Sequence, residues 1–305
     1  MNVLQNIFGR FRKSDTTSAV SSIVEHKLGV INVQVGSARL TKEQSDRLGF
    51  AFSYYGPRLK QMAEWVFISN EKSNFTYDIS ANSKAAFIGA VSAATGKPMA
   101  EIARYIEEPY ADARLAEAVV RRAGSNGGFD IQDTTCLFGR RLAWYATARA
   151  MKPGVIVETG VDFGLGSILL AEALRRNAEE GYLGHHYGTD INHEAGFLVH
   201  GQWASFSTML YGDSVESLTK FNEPIDLFIN DSDHSAEYEM REYRLLPEKI
   251  SDAGIVLGDN SHVTDALYRW SVEAGRQFLF CPEYPKNHWY PGAGIGFSFT
   301  PKRVS

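Results

Sequence analysis

Asp231, His234, Asp259 and Asn260 are the side chains of this 305-residue sequence whose types and spacing could do chemistry together. The first two lie in Asn230-Asp231-Ser232-Asp233-His234-Ser235, directly after the apolar run Ile225–Ile229. The other two lie in Gly258-Asp259-Asn260-Ser261, directly after Ile255–Leu257. Short apolar runs bounded by such strings read as strands buried on both faces of a parallel sheet. On neighbouring strand ends, Asp231, Asp259 and Asn260 supply three oxygen ligands, half an octahedron for Mg²⁺. That hard cation keeps its other positions for water or substrate oxygens.

A second constellation occupies Val155–Gly166, Val-Ile-Val-Glu-Thr-Gly-Val-Asp-Phe-Gly-Leu-Gly. A β-branched run ends at Glu158, and Gly160, Gly164 and Gly166 follow before an apolar helical stretch from Ile168 to Leu174. Strand, glycine turn and helix in that order let backbone approach a ligand at a helix N-terminus. The spacing is Glu-x-Gly-x-x-x-Gly-x-Gly, not the Gly-x-Gly-x-x-Gly of nicotinamide enzymes, which argues against a nucleotide-dependent oxidoreductase. An acidic strand end repels a pyrophosphate but suits a cationic, phosphate-free nucleoside. Asp190 ends the next strand, where a carboxylate can accept hydrogen bonds from both ribose hydroxyls.

The Val155–Gly166 turn resembles motif I of the class I S-adenosylmethionine (SAM) methyltransferases. The two acidic strings are similar to those of the metal-dependent O-methyltransferases of the catechol type. They are also similar to those of the macrolide-sugar O-methyltransferases, whose fourth strand ends in Asp-x-Asp-His-Ser. The resemblance covers roughly Leu137–Phe299. It implies cofactor contacts at Glu158, Gly160, Gly164, Ser167, Asp190, Asp213, Ser214 and Asp231, with Gly212-Asp213-Ser214 at the adenine. It implies Mg²⁺ ligands at Asp231, Asp259 and Asn260, and a general base at His234. Asn230 stands where the related string carries an apolar residue, which keeps Asp233 open as the ligand in place of Asp231. In such an enzyme the metal lowers the pKa of a chelated hydroxyl and the histidine takes its proton. A substrate with two adjacent oxygens follows, a sugar diol or a catechol. The segment Asn74-Phe-Thr-Tyr-Asp-Ile-Ser is similar to one that precedes methyltransferase domains associated with surface polysaccharides, which favours a sugar.

The elements that must position these groups alternate along the C-terminal half. Strands are expected at Val155–Val157, His185–Thr189, Phe206–Tyr211, Ile225–Ile229, Ile255–Leu257, Gln277–Cys281 and Gly294–Phe299, with helices between the first five. The fold class is α/β, a Rossmann-like doubly wound, mainly parallel seven-stranded sheet with an N-terminal mostly helical domain. Residues 1–130 form that N-terminal lid, substrate or oligomerisation domain and 131–305 the methyltransferase domain, divided at Gly124-Ser-Asn-Gly-Gly128. Upstream, Ile23–Val35 alternates like one or two strands, Thr41 can cap a helix with Gln44, and Lys60–Phe67, Lys84–Thr95, Pro98–Ile106 and Asp112–Arg122 read as helical. His288, Trp289 and Tyr290, between the last two strands, either stack on a sugar ring or pack on the N-terminal helices.

Composition sets the outer bounds. The 44% hydrophobic and 22% charged shares are ordinary for a globular chain, and a net charge of −5 offers no global field for nucleic acid. Cys136 and Cys281 are too few and too far apart for a disulfide framework, which points to a reducing, cytoplasmic location. No apolar run reaches membrane-spanning length. Val3, Leu4, Ile7, Phe8 and Phe11, ahead of Arg12 and Lys13, allow a basic amphipathic helix in residues 1–13, for peripheral membrane contact or for docking on its own or a partner subunit. A homo-oligomer is therefore open. The combined expectation is a SAM-dependent, Mg²⁺-dependent O-methyltransferase of a sugar or polysaccharide-related hydroxyl. A metal-independent small-molecule methyltransferase and a non-catalytic SAM-binding protein are the alternatives.

Overall fold

A computed structural model describes residues 41–69, 71, 73, 75–125 and 136–301. The expected helix in residues 1–13 and strands in Ile23–Val35 lie outside the described residues, as does the glycine break at 126–128. Contacts divide the chain into two units, Met1–Ser69 with Asn287–Tyr290, and Asn70–Lys286 with Pro291–Ser305.

In the first unit, helix α1 (Lys42–Ile68) starts at Thr41, whose side chain and backbone form the expected capping box with Gln44. It runs unbroken through Gly56-Pro57. The aromatic loop belongs to this unit: Trp289 lies on Trp65 with ring centroids 5.2 Å apart, and Arg58 donates to the Tyr290 carbonyl at 2.8 Å. Packing on α1 is therefore the role the structure gives it.

The second unit is built on seven strands in the order β3-β2-β1-β4-β5-β7-β6. They are β1 (Val155–Thr159), β2 (His185–Asp190), β3 (Ser207–Tyr211), β4 (Ile225–Asn230), β5 (Ile250–Gly258), β6 (Gln277–Pro282) and β7 (Gly294–Phe299). β7 runs antiparallel to both β5 and β6, and the other pairings are parallel. Strand order reverses beside β1, so the crevice at the C-terminal strand ends opens there.

Helices α2 (Ala81–Thr95), α3 (Met99–Ala111), α4 (Ala113–Ser125), α5 (Arg141–Met151) and α6 (Leu165–Glu179) accompany one face; α7 (Ser214–Lys220), α8 (Ala236–Tyr243) and α9 (Ala266–Glu273) cover the other. On that second face Val157, Phe228 and Val256 pack with Tyr243, Leu267 and Trp270 in one apolar cluster. The boundary expected at 130–131 is corrected: α2 to α4 belong to the unit that holds the sheet. Their apolar positions explain why, since Phe87, Val91, Ile102, Ile106, Leu115 and Val119 are fully buried. Buried charge fastens them too. Glu108 on α3 accepts from Tyr145 at 2.6 Å and Arg149 at 2.9 Å, both on α5.

Candidate functional site

The register of the sheet assembles the site. Thr159 pairs with Thr189 on one side and Asn230 on the other, and Asn230 pairs with Gly258. Gly160, Asp190, Asp231 and Asp259 therefore leave four adjacent strands at one level. The Asp231 amide donates to the Thr159 carbonyl and the Asp259 amide to the Asn230 carbonyl, each at 2.8 Å, which carries the pairing one residue past the strands. Above these ends lies a cleft of about 550 Å³, lined among others by Gly160, Asp190, Gly212, Asp213, Ser214 and Asp231. That volume is in the range of small-molecule sites.

The turn from β1 to α6 forms one wall. Gly160 sits at φ +80°, and a Cβ there would come within 2.1 Å of the Asp231 carbonyl oxygen, so no other residue fits. Asp190 fixes this turn from β2, its carboxylate accepting from the amides of Val161 at 3.1 Å and Asp162 at 2.9 Å. Asp213 caps α7 by accepting from the Glu216 amide at 2.9 Å, and also accepts from the Tyr238 hydroxyl at 3.0 Å. Beneath this end lies Glu242 of α8, fully buried. Its carboxylate accepts from Asn230, Ser214 and Ser232, and from Thr159 at 3.4 Å. Burial pushes its pKa up to about 7, against the hydrogen bonds from Ser214, Ser232 and Thr159.

At the other end, the two acidic strings meet a buried arginine. Arg140, just ahead of α5, donates from Nε to both oxygens of Asp259 at 2.6 and 2.7 Å and from Nη2 to one of them at 2.5 Å. Its Nη1 donates to the Tyr77 hydroxyl at 2.7 Å and lies 3.7 Å from Glu283. Burial acts to discharge both partners of the Arg140–Asp259 pair, but each charge outweighs that for the other, holding Arg140 above and Asp259 below their ordinary ranges. Burial first and the neighbouring Asp259 charge second push the Asp231 carboxyl up to about 8. His234 Nε2 lies 2.9 Å from the Asn260 side-chain amide and 3.5 Å from Asp231 Oδ1, and Nδ1 lies 3.4 Å from Glu239. Burial acts to lower the His234 pKa, but the Asp231 and Glu239 carboxylates outweigh it and raise it to about 10.

Residues 157–261 match the family model described as "Methyltransferase domain". That stretch, about a third of the chain, is similar to a methyltransferase domain. No curated protein matches it in sequence. Among solved structures, it is similar to the O-methyltransferase TomG from Streptomyces achromogenes, involved in tomaymycin synthesis and in complex with SAM, at 16% identity. That match covers 61% of this chain and 90% of the other with a TM-score of 0.47. An O-methyltransferase from Bacillus cereus in complex with SAH matches at 14% identity over 62% and 91%, TM-score 0.45. The SAH-bound Podospora anserina methyltransferase PaMTH1 matches at 14% over 63% and 89%, TM-score 0.44.

The expected contacts divide. Gly160, Asp190, Asp213, Ser214 and Asp231 line the cleft. Glu158 and Ser167 do not: both are buried, and Ser167 donates to Glu158 at 2.6 Å while His186 donates to it at 2.9 Å. Strand alternation explains this correction. Val157 faces the α8 and α9 cluster, so Glu158 turns under the first turn of α6 and joins β1, β2 and α6. Gly164, at φ +92°, caps α6 and packs against Gly196, where a Cβ would meet its Cα at 2.9 Å.

The expected Mg²⁺ ligands do not fit a metal ion as the chain arranges them. Both Asp259 oxygens are engaged by Arg140, and the Asn260 side chain is oriented by its amide nitrogen, 2.9 Å from His234 Nε2. Asp233 is no substitute, because it is exposed and accepts from the Ser235 amide at 2.7 Å in the turn entering α8. Among the described residues no group of three or more His, Cys, Asp or Glu is placed to hold a metal ion. Cys136 and Cys281 are buried and unpaired. Sequence reading missed Arg140, Tyr77, Glu242, Tyr238 and Glu283. One signal was present: Gly139-Arg140-Arg141 places two adjacent charges at the head of a helix, and Arg141 also lines the cleft.

Proposed function

We propose that the protein is a SAM-dependent O-methyltransferase in which His234 takes the proton of an acceptor hydroxyl. One observation supports this above the others. A cleft whose glycine wall and Asp190 suit a nucleoside continues, at the C-terminal ends of β4 and β5, into Asp231 and His234. Bound SAM supplies an already activated methyl group, so the chain has to orient a nucleophile and remove its proton. Asp190 is suited to the ribose hydroxyls, Asp213 and Ser214 to the base, and the Arg141 guanidinium to the methionine carboxylate. His234 is held by Glu239 on one nitrogen and flanked by Asp231 and Asn260 on the other, which fixes the ring for proton transfer.

The acceptor we propose is a hydroxyl of a carbohydrate or a related polyhydroxylated molecule. Asp231, Ser232 and Asp233 along the cleft offer a polyhydroxylated acceptor hydrogen-bonding groups that an aromatic ring would not use. The requirement for two adjacent oxygens rested on chelation and falls with the metal. Isothermal titration of SAM into wild type and Asp190→Ala tests the cofactor reading. Micromolar binding, weakened roughly tenfold to a hundredfold in the variant as one or two charge-assisted hydrogen bonds are lost, is expected. Absence of SAM binding to wild type sinks the assignment. SAH release during a screen of sugars then tests the acceptor.

A further inference from the structure

We propose that Arg140 takes the place of a divalent cation at the acceptor end of the cleft, so that methyl transfer in this protein is metal-independent and Arg140 is its positioning cation. The inference rests on the methyltransferase reading of the cleft but on different atoms from those that suit the cofactor.

Two features define the argument. Asp231 and Asp259 leave neighbouring strands at the same level, an arrangement of carboxylates that needs a counter-charge. The chain supplies that charge itself. Arg140, nine-tenths buried, places its planar fork across both oxygens of a fully buried Asp259, the bidentate geometry in which arginine binds carboxylate best. A metal ion there would need the same lone pairs and would sit against a guanidinium that cannot lose its proton.

Further contacts fix Arg140 so that it is not a mobile surface charge. Nη1 donates to Tyr77 and lies 3.7 Å from Glu283, and Glu283 accepts from the Ala293 amide at 3.2 Å. The guanidinium is thus held by the segment before α2, by β5 and by the residues flanking the β6–β7 loop. It lines the cleft, and its charge acts on Asp231 beside His234. A fixed positive charge at that point stabilises negative charge developing on an acceptor oxygen, which is the electrostatic part of what a metal would do. The ligand exchange that lets a metal chelate two substrate oxygens has no counterpart in a guanidinium, and that separates the two cases chemically.

Mn²⁺ provides the probe, because its electron paramagnetic resonance signal falls on binding and needs no turnover. Wild type is expected to leave the Mn²⁺ signal undiminished and to methylate its acceptor equally well with and without EDTA. Arg140→Met removes the resident cation but keeps the two carboxylates. That variant is expected to gain a Mn²⁺ site, tighter than any in wild type by roughly a hundredfold, since a buried charge loses its partner. Adding Asp259→Asn to Arg140→Met should remove the site, and Arg140→Lys should not create one. Stoichiometric Mn²⁺ binding to wild type that Asp259→Asn abolishes overturns the proposal, as does a folded Arg140→Met that binds no Mn²⁺. If Arg140→Met does not fold, the wild-type titration and Arg140→Lys still decide. SAM titration of the same samples reports separately on the cofactor reading, so the two failures cannot be confused.

Discussion

Replacing Glu242 by glutamine should change how stability depends on pH, and the size of the change can be worked from its surroundings. The carboxyl is fully buried and its pKa is raised from an ordinary 4.5 to about 7, burial being the main cause. A raised carboxyl pKa means the folded state holds a proton that the unfolded chain has already released. Its contribution is therefore fully present below about pH 4.5 and is lost as pH climbs through about 7. Each unit of pH between those limits removes about 1.4 kcal/mol, so the full span amounts to roughly 3 kcal/mol. Glutamine copies the protonated form and does not titrate. Urea unfolding of both proteins at intervals from about pH 5.5 to about pH 8 measures the difference. Glu242→Gln should gain about 2 kcal/mol on wild type across the first one and a half units and then level off. Taking the difference cancels every other titrating group. Parallel stability curves for the two proteins would refute the argument, because Glu242 would then be ionised in the folded state throughout.

Two further outcomes follow from the cleft. Gly160→Ala should abolish SAM binding and lower the melting temperature: the φ of +80° alone disfavours alanine by about 1–2 kcal/mol, and its Cβ would stand 2.1 Å from the Asp231 carbonyl oxygen. A variant that binds SAM normally would show that the β1 turn can move away from β4. For His234, a base must be unprotonated, and its pKa is raised to about 10. Methyl transfer at saturating substrates should therefore rise about tenfold per pH unit from neutrality and flatten near the pKa. His234→Gln should lose most of the rate together with that limb, and a pH-independent wild-type rate would remove histidine from the role.

Much of the fold was legible because a parallel sheet writes itself as short apolar runs ending in turn residues. All seven expected strands are present, with β5 starting earlier, at Ile250, than its three-residue apolar core. The cofactor end was legible for the same reason, since glycines and acids that follow such runs must fall at C-terminal strand ends. Helix α1 was only half legible. Thr41 marked its start and Lys60–Phe67 its later part, and the structure joins the two in one helix through Gly56-Pro57. The aromatic loop allowed two roles, and pairing of Trp289 with Trp65 depends on residues far apart in the chain.

The metal expectation failed for a physical reason that applies to any such pair of strings. Two carboxylates on adjacent strand ends state only that positive charge has to come from somewhere. Local spacing cannot say whether it arrives as an ion or as a side chain. Here it arrives from Arg140, 119 residues before Asp259, and is held in place by Tyr77 from earlier still. Arg140 and Asp259 are far apart in sequence, and the segment 74–80 that contains Tyr77 does not reveal that it meets Arg140. The order of interactions matters to the chemistry. With the arginine on Asp259, the proton-binding capacity of the cluster falls on Asp231 and His234, both of which are pushed upward. The cation keeps Asp259 ionised, while the upward shift of His234, and with it the expected alkaline limb, comes from the Asp231 and Glu239 carboxylates beside the ring.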